Sequence, residues 1–344
     1  MNNNKLFTFL TCLTATLAIQ GNAQQPLLHA PASKSHAFIW DSTRGMRDLG
    51  TLGGENSYAL GINGRGVVVG YSYLSDNITI HAFRWTQAEG MVDLTPYFSL
   101  GRSSQANFIN INGTVAGTAI LTTGLHEPAL FGQDRWMHLP LGSGNQDKNY
   151  GFSVNDSNQV TGQFYTGSTV NGYLWDTSAA TFAYLPVLPG GVHTVGTSIN
   201  NFTHIAGTGS LADGSFDALL WTASTGSQDI GSLNGSGYTA AQGINDNDEL
   251  VGLNSPELAG FYWSSATGLV ELQTLGGTTA PAFGINNAGM IVGYSSRSDG
   301  TVHATRWDSY TTSPQDLGAL NLHGNSYGRG INSTGQVVGY ADAR

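Results

Sequence analysis

The stretch that decides the fold reads Ser57-Tyr-Ala-Leu-Gly-Ile-Asn63-Gly-Arg-Gly66-Val-Val-Val-Gly70. It places two apolar runs on either side of a short turn rich in Asn and Gly, which is the pattern of a β-hairpin. The Asn63 side chain can bond backbone two residues further on, and Gly66 can adopt a positive φ. The stretch therefore predicts strand a up to Asn63, a short hairpin loop with a bulge, and strand b after it.

This hairpin phrase recurs seven times, with 41 to 47 residues between successive asparagines. The residue three after the asparagine is Gly, Asn or Asp in six of the seven copies, the exception being Thr203, so a positive φ is expected there. A glycine always follows seven residues after the asparagine, where it is expected to let a tryptophan lie flat on the backbone. The seven asparagines are Asn63, Asn110, Asn155, Asn200, Asn245, Asn286 and Asn332.

Two further phrases complete each repeat and predict strands c and d. The first reads His-Ala-Phe-x-Trp in its fullest form and centres on Trp40, Trp85, Phe131, Trp175, Trp221, Trp263 and Trp307. The second, x-Asp-Leu in its fullest form, ends at Leu49, Leu94, Leu139, Leu185, Ile230, Leu272 and Leu317. Core packing is the expected role of these tryptophans, whereas Trp136, in strand d of its repeat, has no assigned role.

Four short strands in about 45 residues match a β-propeller blade, and a parallel β-helix, with shorter coils, is the rival interpretation. A propeller also explains why the residue four before each asparagine is always Ala or Gly, because blades crowd together near the axis. The chain enters with strands c and d at His36–Leu49 and leaves with strands a and b at Tyr327–Tyr340. We therefore predict an all-β, seven-bladed propeller of four-stranded antiparallel blades, whose closing blade is shared between the two chain ends. The alternative phase, c-d-a-b, would have no shared blade.

The N-terminus predicts export. Lys5 precedes the apolar stretch Leu6–Ile19, and small residues permit cleavage after Ala23, so residues 1–23 are expected to be a signal peptide and 24–35 a linker before the domain at 36–344. The single cysteine, Cys12, lies inside the signal, and no later stretch could anchor the chain in a membrane. Loss of Lys5 takes the formal net charge from −10 to −11, which disfavours nucleic acid as a partner. The expected location is secreted or periplasmic.

The phrases His81-Ala-Phe-Arg-Trp85, Asp48-Leu-Gly-Thr-Leu-Gly-Gly54 and Gly61-Ile-Asn63 resemble the HAF-repeat family, which takes its name from the tripeptide. The resemblance covers about residues 36–342 and is looser in the three repeats that carry Glu127, Asn171 and Asp217 in place of the histidine. The next repeat has Ala259-Gly-Phe for the tripeptide but keeps Thr274-Leu-Gly-Gly277 and Gly284-Ile-Asn286. It implies an exported bacterial repeat protein. The family offers no catalytic residues to transfer.

A search for chemistry finds no catalytic, cofactor-binding or metal-binding residues. His36, His81 and His303 occupy equivalent sites, which a ring would spread apart, so each is expected to bond backbone of its own blade. The strand d aspartates are likewise distributed and are expected to be solvated or to bond neighbouring turns. The acidic turn Asn245–Glu249 could hold Ca²⁺ but lacks a bidentate Glu at loop spacing, which favours an ordinary hairpin.

A binding site is expected at the mouth of the ring, where the d–a loops (Gly50–Asn56, Pro186–His193, Gly276–Thr279) gather with the b–c loops. The position three before each asparagine varies most in chemistry, and packing does not explain that variety. We expect Asn107, Gln242 and Arg329, which occupy it, to line the channel.

Three functions remain open on this sequence. The favoured one is a non-catalytic binding scaffold for a protein or a glycan. The second is an architectural repeat protein of the envelope or matrix. The third is a carboxylate-dependent lyase or hydrolase, which would need acidic, His or Tyr side chains from different repeats to meet in one pocket.

Overall fold

The computed structural model describes residues 34–95, 101–132, 136–138, 148–233, 235 and 237–343. The chain divides into the units Met1–Ser33 and Lys34–Arg344, and the description concerns the second unit alone. The predicted signal peptide, its cleavage after Ala23 and nearly all of the predicted linker lie outside the described residues.

The described residues form 28 strands. In chain order, β1 to β6 span Ser35–Asp41, Gly45–Asp48, Ser57–Ile62, Val68–Tyr73, Ile80–Thr86 and Gly90–Asp93. Strands β7 to β14 span Gly101–Ile109, Val115–Leu121, His126–Phe131, Trp136–His138, Tyr150–Val154, Gln159–Thr166, Thr169–Asp176 and Thr181–Tyr184. Strands β15 to β22 span Thr194–Ile199, Ile205–Ser210, Phe216–Thr222, Gly226–Gly231, Tyr238–Ile244, Leu250–Ser255, Ala259–Ser264 and Gly268–Glu271. Strands β23 to β28 span Ala282–Ile285, Ile291–Ser296, Val302–Trp307, Gln315–Asp316, Ser326–Ile331 and Val337–Asp342.

Successive strands pair in antiparallel groups of four, in the predicted order a, b, c, d. The groups are β3–β6, β7–β10, β11–β14, β15–β18, β19–β22 and β23–β26, and a single parallel bridge, Phe216 to Tyr238, joins the fourth group to the fifth. The remaining strands form a sheet of order β2-β1-β28-β27, which we call the terminal sheet, in which β1 runs antiparallel to β28. The prediction of an all-β fold with four-stranded antiparallel sheets is confirmed. Among the described residues there is no α-helix, and accordingly none long and apolar enough to cross a membrane.

Each hairpin loop is organised by its asparagine, as the sequence predicts. The Asn63 Oδ1 atom accepts hydrogen bonds from the backbone N–H groups of Arg65 at 3.0 Å and Val67 at 3.1 Å. The residue three after the asparagine has a positive φ in all seven hairpins, including Thr203, where φ is 67°. A threonine tolerates this conformation only because the surrounding turn holds it there.

The same asparagines also join the repeats to one another. Each Nδ2 atom donates to the backbone oxygen of the next asparagine in the series at 2.9 to 3.1 Å, and Asn332 donates back to Asn63. All seven side chains are buried, with at most 7% of their surface exposed. Seven hydrogen bonds therefore form a closed cycle that the turn chemistry alone did not predict.

The bulge lies in strand a and not in the hairpin loop, which corrects the sequence-based expectation. In β3, Ala59 pairs with Gly70 and Gly61 pairs with Val69, so Leu60 has no partner in the register. The same slip recurs in the other six first strands, and the skipped residue always lies three before the asparagine. The skipped residues are Leu60, Asn107, Phe152, Thr197, Gln242, Phe283 and Arg329. A bulge frees its residue from the ladder, which is why this position varies.

The glycine of strand b has a different role from the one predicted. A Cβ atom built on Gly70 would lie 1.9 Å from the carbonyl oxygen of Tyr58 on the paired strand a. At the six equivalent glycines, the corresponding distance from Cβ to carbonyl oxygen is 1.9 to 2.0 Å. The nearest atom in every case is a strand a carbonyl, not a tryptophan ring. The bulge thus brings the two backbones so close that only glycine fits.

Small residues and aliphatic side chains fill the space between neighbouring sheets. A Cβ atom on Gly328, four before its asparagine, would lie 2.5 Å from the oxygen of Gly293 in the preceding sheet. The strands β3, β7, β11, β15, β19, β23 and β27 each contact the next, and β27 contacts β3. Trp40, Trp85, Trp175 and Trp307 are buried as predicted, whereas Trp221 and Trp263 are partly buried. The crowding near strand a therefore explains the invariable Ala or Gly.

The asparagine cycle can be tested at Asn63. We expect Asn63→Ala to lower the free energy of unfolding by about 2–4 kcal/mol, because two backbone N–H groups of the turn and one buried carbonyl lose their partner. Asn63→Asp keeps the turn acceptors but loses the donor to Asn110, and part of its deficit should return at acid pH, where a protonated carboxyl can donate. Urea unfolding measures both. The exposed Asn247→Ala is the control, expected within about 0.5 kcal/mol of the parent. Equal stability of the Asn63 variants and the parent would contradict the role of the cycle.

Candidate ligand-binding site

The d–a and b–c loops pack together at one end of the strands, as predicted. The Leu52 N–H donates to Ser72 Oγ at 2.9 Å, and the Gly54 N–H donates to the oxygen of Tyr73 at 3.0 Å. Equivalent bonds join His193 to Ser210 and Thr279 to Ser296, each at 2.9 Å. We call this end the loop face. The asparagine hairpins lie at the opposite end of strands a and b.

The candidates Asn107, Gln242 and Arg329 occupy bulges of three different first strands. The Asn107 Nδ2 atom donates at 2.7 Å to the oxygen of Gly151, which lies on the first strand of the next sheet. Each of the three keeps one buried polar atom without a partner: Asn107 Oδ1, Gln242 Nε2 and Arg329 Nε. Within the part of the chain that the structure describes, no hydrogen bond joins the three to one another. They are therefore related by the fold and not assembled into one cluster.

Arg329 has the most unusual surroundings of the three. Only 7% of its surface is exposed, and its Nη2 atom donates to the Tyr340 hydroxyl at 3.2 Å. Its guanidinium carbon lies 4.1 Å from the centre of the Phe283 ring and 5.5 Å from that of Tyr340. No carboxylate of the described residues forms an ion pair with it. Cation–π contacts recover part of the cost of burying this charge, but a partner anion is missing.

Six aromatic rings form a continuous row beside Arg329. Neighbouring centres lie 4.9 Å apart from Tyr71 to Tyr58, Tyr58 to Tyr340 and Tyr340 to Tyr327, then 5.0 Å to Tyr294 and 5.6 Å to Phe283. These separations are typical of stacked and edge-to-face pairs. We call Tyr71, Tyr58, Tyr340, Tyr327, Tyr294 and Phe283 the aromatic row. It crosses the β3–β6 sheet, the terminal sheet and the β23–β26 sheet.

The aromatic row is partly open to solvent. Tyr71 is buried, whereas the other five rings are only partly buried. Burial raises the pKa of Tyr58 and Tyr327 to about 12, so their hydroxyls stay protonated at neutral pH. Tyr58 and Tyr327 are the second residues of their strands, toward the loop face. The row therefore offers both ring faces and hydrogen-bonding hydroxyls near that end.

Sequence reasoning missed the aromatic row, although a signal was present. The dipeptide Gly-Tyr ends the strand b phrase at Gly70-Tyr71, Gly293-Tyr294 and Gly339-Tyr340. In the linear sequence the first of these is far from the other two. They become neighbours because β27 and β28 pack against β3, where the Tyr58 ring bridges Tyr71 and Tyr340.

The repeated histidines bond the repeated aspartates, which corrects the expected backbone contact. The Nδ1 atom of His36 lies 2.7 Å from the Asp48 carboxylate, and the His81–Asp93 and His303–Asp316 pairs have the same separation. Asp48 also accepts the N–H of Gly50 at 2.7 Å, in agreement with the expectation that these aspartates bond neighbouring turns. In these three sheets, the second residue of strand c is thereby linked to the last residue of strand d.

The acidic hairpin Asn245–Glu249 directs its carboxylates at neighbouring groups. Asp246 accepts from the N–H of Asn201 at 2.9 Å, Asp248 accepts from His204 at 2.8 Å, and Glu249 accepts from the Tyr262 hydroxyl at 2.8 Å. Among the residues that the structure describes, no three acidic, His or Cys side chains come together as a metal site. The hairpin thus braces adjacent repeats.

No family model and no curated protein matches this chain. Solved structures do resemble it. Putative TolB from Agrobacterium tumefaciens aligns at 12% identity over 91% of this chain and 99% of that chain, with a TM-score of 0.52. Virginiamycin B lyase from Staphylococcus aureus aligns at 11% identity over 89% and 99%, with a TM-score of 0.51. For TolB from Acinetobacter baumannii the identity is 11% and the TM-score 0.48, over 69% of this chain and 62% of that chain. The class that the first two likenesses define is the β-propeller, and at such identity they concern the fold alone.

Asp217 replaces the repeated histidine in its sheet and yields a pH-dependent prediction. Two causes raise the pKa of Asp217 to about 6: mainly the desolvation of its carboxyl group, and secondly the negative charge of the neighbouring Asp229. The folded state then binds more protons than the unfolded state between about pH 4 and pH 6, so stability falls as pH rises through that window. Asparagine cannot ionise, so the Asp217→Asn variant avoids this loss. Relative to the parent, we expect its free energy of unfolding to rise by about 1 kcal/mol from pH 4 to pH 7, a value reduced for the partial exposure of the side chain.

Urea unfolding of both proteins at the two pH values measures this gain. Asp213→Asn is the control expected to differ from the parent by a nearly constant amount, because hydrogen bonds from Ser215 lower the pKa of Asp213 and keep it ionised from pH 4 to pH 7. A difference between Asp217→Asn and the parent that stays constant from pH 4 to pH 7 would contradict the prediction.

Proposed function

We propose that the chain is an exported HAF-repeat protein built as a seven-bladed β-propeller, with its closing blade shared between the N- and C-terminal segments. Support for seven blades comes from the seven four-stranded groups and from the cycle of asparagine hydrogen bonds. Support for the shared blade comes from the register of β1 with β28, which runs from Ser35 opposite Asp342 to Trp40 opposite Val337. Export is proposed from residues 1–23, and the location is periplasmic or extracellular.

We further propose that this propeller is a non-catalytic binding scaffold for a protein or a glycan. The observation that carries the proposal is the aromatic row with Arg329, a partly open surface that the repeat architecture does not require. At the position of Tyr58, two other first strands carry Val195 and Ala240. A fold that accepts small side chains there has no structural need for tyrosine. Asn107, Gln242 and Arg329 are proposed to line the axial channel beside this surface.

The arrangement of titratable groups supports a binding role over catalysis. The repeated His and Asp side chains form hydrogen bonds with each other and with nearby turns, which restrains both from acting on a ligand. A general acid and base would need two such groups free and close to one bound molecule. The aromatic row instead offers hydroxyls that remain protonated at neutral pH.

The test is a binding screen of the purified protein against a glycan array and against envelope proteins, followed by titration of each hit. Tyr327→Ala removes a ring of the aromatic row and is expected to weaken binding at least tenfold. Tyr184→Ala is the matched control, because Tyr184 is a half-exposed tyrosine on the outer strand β14. Absence of any saturable ligand, or equal effects of the two variants, would contradict the proposal, and turnover of a substrate would replace it with an enzyme.

The shared blade predicts that the chain ends can be covalently joined. Ser35 and Asp342 are directly opposite each other in β1 and β28, where paired residues lie close enough for a disulfide. We expect the double variant Ser35→Cys/Asp342→Cys to form an intramolecular disulfide. The disulfide would close a loop that contains nearly the whole domain. The free energy of unfolding of the oxidised variant should therefore exceed that of the reduced variant by about 3–5 kcal/mol. Comparing the two forms cancels the loss of the Asp342 side chain, and failure to form the bond within one molecule would contradict the shared blade.

A further inference from the structure

Arg329 differs from the other arginines whose side chains the structure describes. Five of these form ion pairs with carboxylates, namely Arg44, Arg47, Arg84, Arg297 and Arg306. A sixth, Arg65, is exposed to solvent. Arg329 is the buried one, and it is also the one that faces aromatic rings without a counter-ion. A buried cation without an anionic partner costs stability, so its presence calls for a reason other than folding.

We propose that Arg329 and the aromatic row bind a uronic acid unit of an acidic glycan. This inference rests on the proposed binding function and names the class of ligand. The sugar carboxylate accepts hydrogen bonds from the Arg329 guanidinium, whose planar donors suit a carboxylate. The sugar ring lies against the partly exposed rings of the row.

The geometry around Arg329 favours an anion. Phe283 packs against the guanidinium at 4.1 Å, and Tyr340 holds the Nη2 atom through a 3.2 Å hydrogen bond, so the group is fixed in place. The Nε atom is buried and has no partner. A ligand carboxylate would supply the missing acceptor and the missing negative charge together. Because the guanidinium is already held, its ordering costs little when the ligand binds.

The charge balance favours one carboxylate over a polyanion. The site has a single unpaired cation, and the chain as a whole carries a formal net charge of −10. A densely charged polymer would be repelled by that excess, because its binding depends on many basic contacts. A glycan with one carboxylate at the site satisfies Arg329 without that penalty.

The aromatic row favours a sugar over an acidic peptide. Five of its six members are tyrosines, so the row combines apolar ring faces with hydroxyls that can donate and accept. A pyranose likewise presents apolar C–H faces edged by hydroxyl groups, and it can satisfy both features at once. An aliphatic or acidic peptide side chain would cover the rings but would bring few hydroxyl groups to match the polar edge of the row.

The test compares matched ligands by titration calorimetry on the purified protein. The probes are the trimers of galacturonic, glucuronic, mannuronic and guluronic acid, each beside its methyl ester, and the peptide Gly-Gly-Glu. We expect at least one acid to bind tenfold more tightly than its ester, because the ester keeps the sugar and removes the charge. Equal affinity of every acid and its ester would overturn the inference, as would binding of the peptide without any of the sugars.

Three variants place the effect at Arg329. Arg329→Met should bring acid and ester within twofold of each other while leaving the melting temperature equal or higher, because it removes a buried unpaired charge. Arg329→Lys retains the charge and should retain part of the preference for the acid, which covers the case of a poorly folding Met variant. Arg306→Met is the matched control: Arg306 lies over the Trp40 ring at 5.1 Å but is paired with Asp308 at 2.9 Å. The Arg306→Met variant should be less stable than the parent and should still bind the acid more tightly than the ester.

The outcomes separate this inference from the proposed scaffold function. If the array or the envelope screen yields another ligand whose affinity ignores Arg329, the uronate inference fails and the scaffold stands. If neither screen yields a ligand and no trimer binds, both fail. An acid preference that survives Arg329→Met also overturns the inference.

Discussion

The structure depends on one buried asparagine in each repeat. Its side-chain oxygen accepts two backbone N–H groups in six repeats and one at Asn110, which fixes the turn, while its nitrogen donates to the backbone of the next asparagine. One side chain thus sets the local conformation and the position of the neighbouring repeat. Because Asn332 donates to Asn63, every repeat has a partner on both sides and no amide in the series is left unsatisfied.

This tight contact between repeats explains the other restricted positions. First strands that touch each other leave room only for Ala or Gly where they meet, and the bulge presses strand a onto strand b, so the latter must carry glycine. The bulge residue itself is released from the ladder. The same distortion that restricts Gly70 therefore leaves the position of Leu60 and Arg329 free to differ between repeats.

The polar groups of the protein divide into two kinds. In the first kind, each group has a partner: His36 bonds Asp48 within one sheet, and the hairpin carboxylate of Asp246 bonds the neighbouring repeat. Arg329 and the aromatic row form the second kind. The buried cation has no anion beside it, and Tyr58 and Tyr327 stand where two other first strands carry small residues. Such departures from what the fold needs are expected where a protein binds something else.

The sequence by itself determined the strands, the turns and the class of fold. These follow from local chemistry repeated seven times: an asparagine that bonds its own turn, a residue that tolerates positive φ, and alternating apolar positions. The sequence also singled out Arg329, through variety at one position. Tertiary structure alone decided that the bulge lies in strand a, that His36 bonds Asp48, and that Tyr71, Tyr340 and Tyr294 are neighbours. The bulge and the His36–Asp48 bond depend on how paired strands are aligned, whereas Tyr71 and Tyr340 lie far apart in the chain. A repeating pattern specifies its own period, but neither the exact alignment of its strands nor which of its copies will meet.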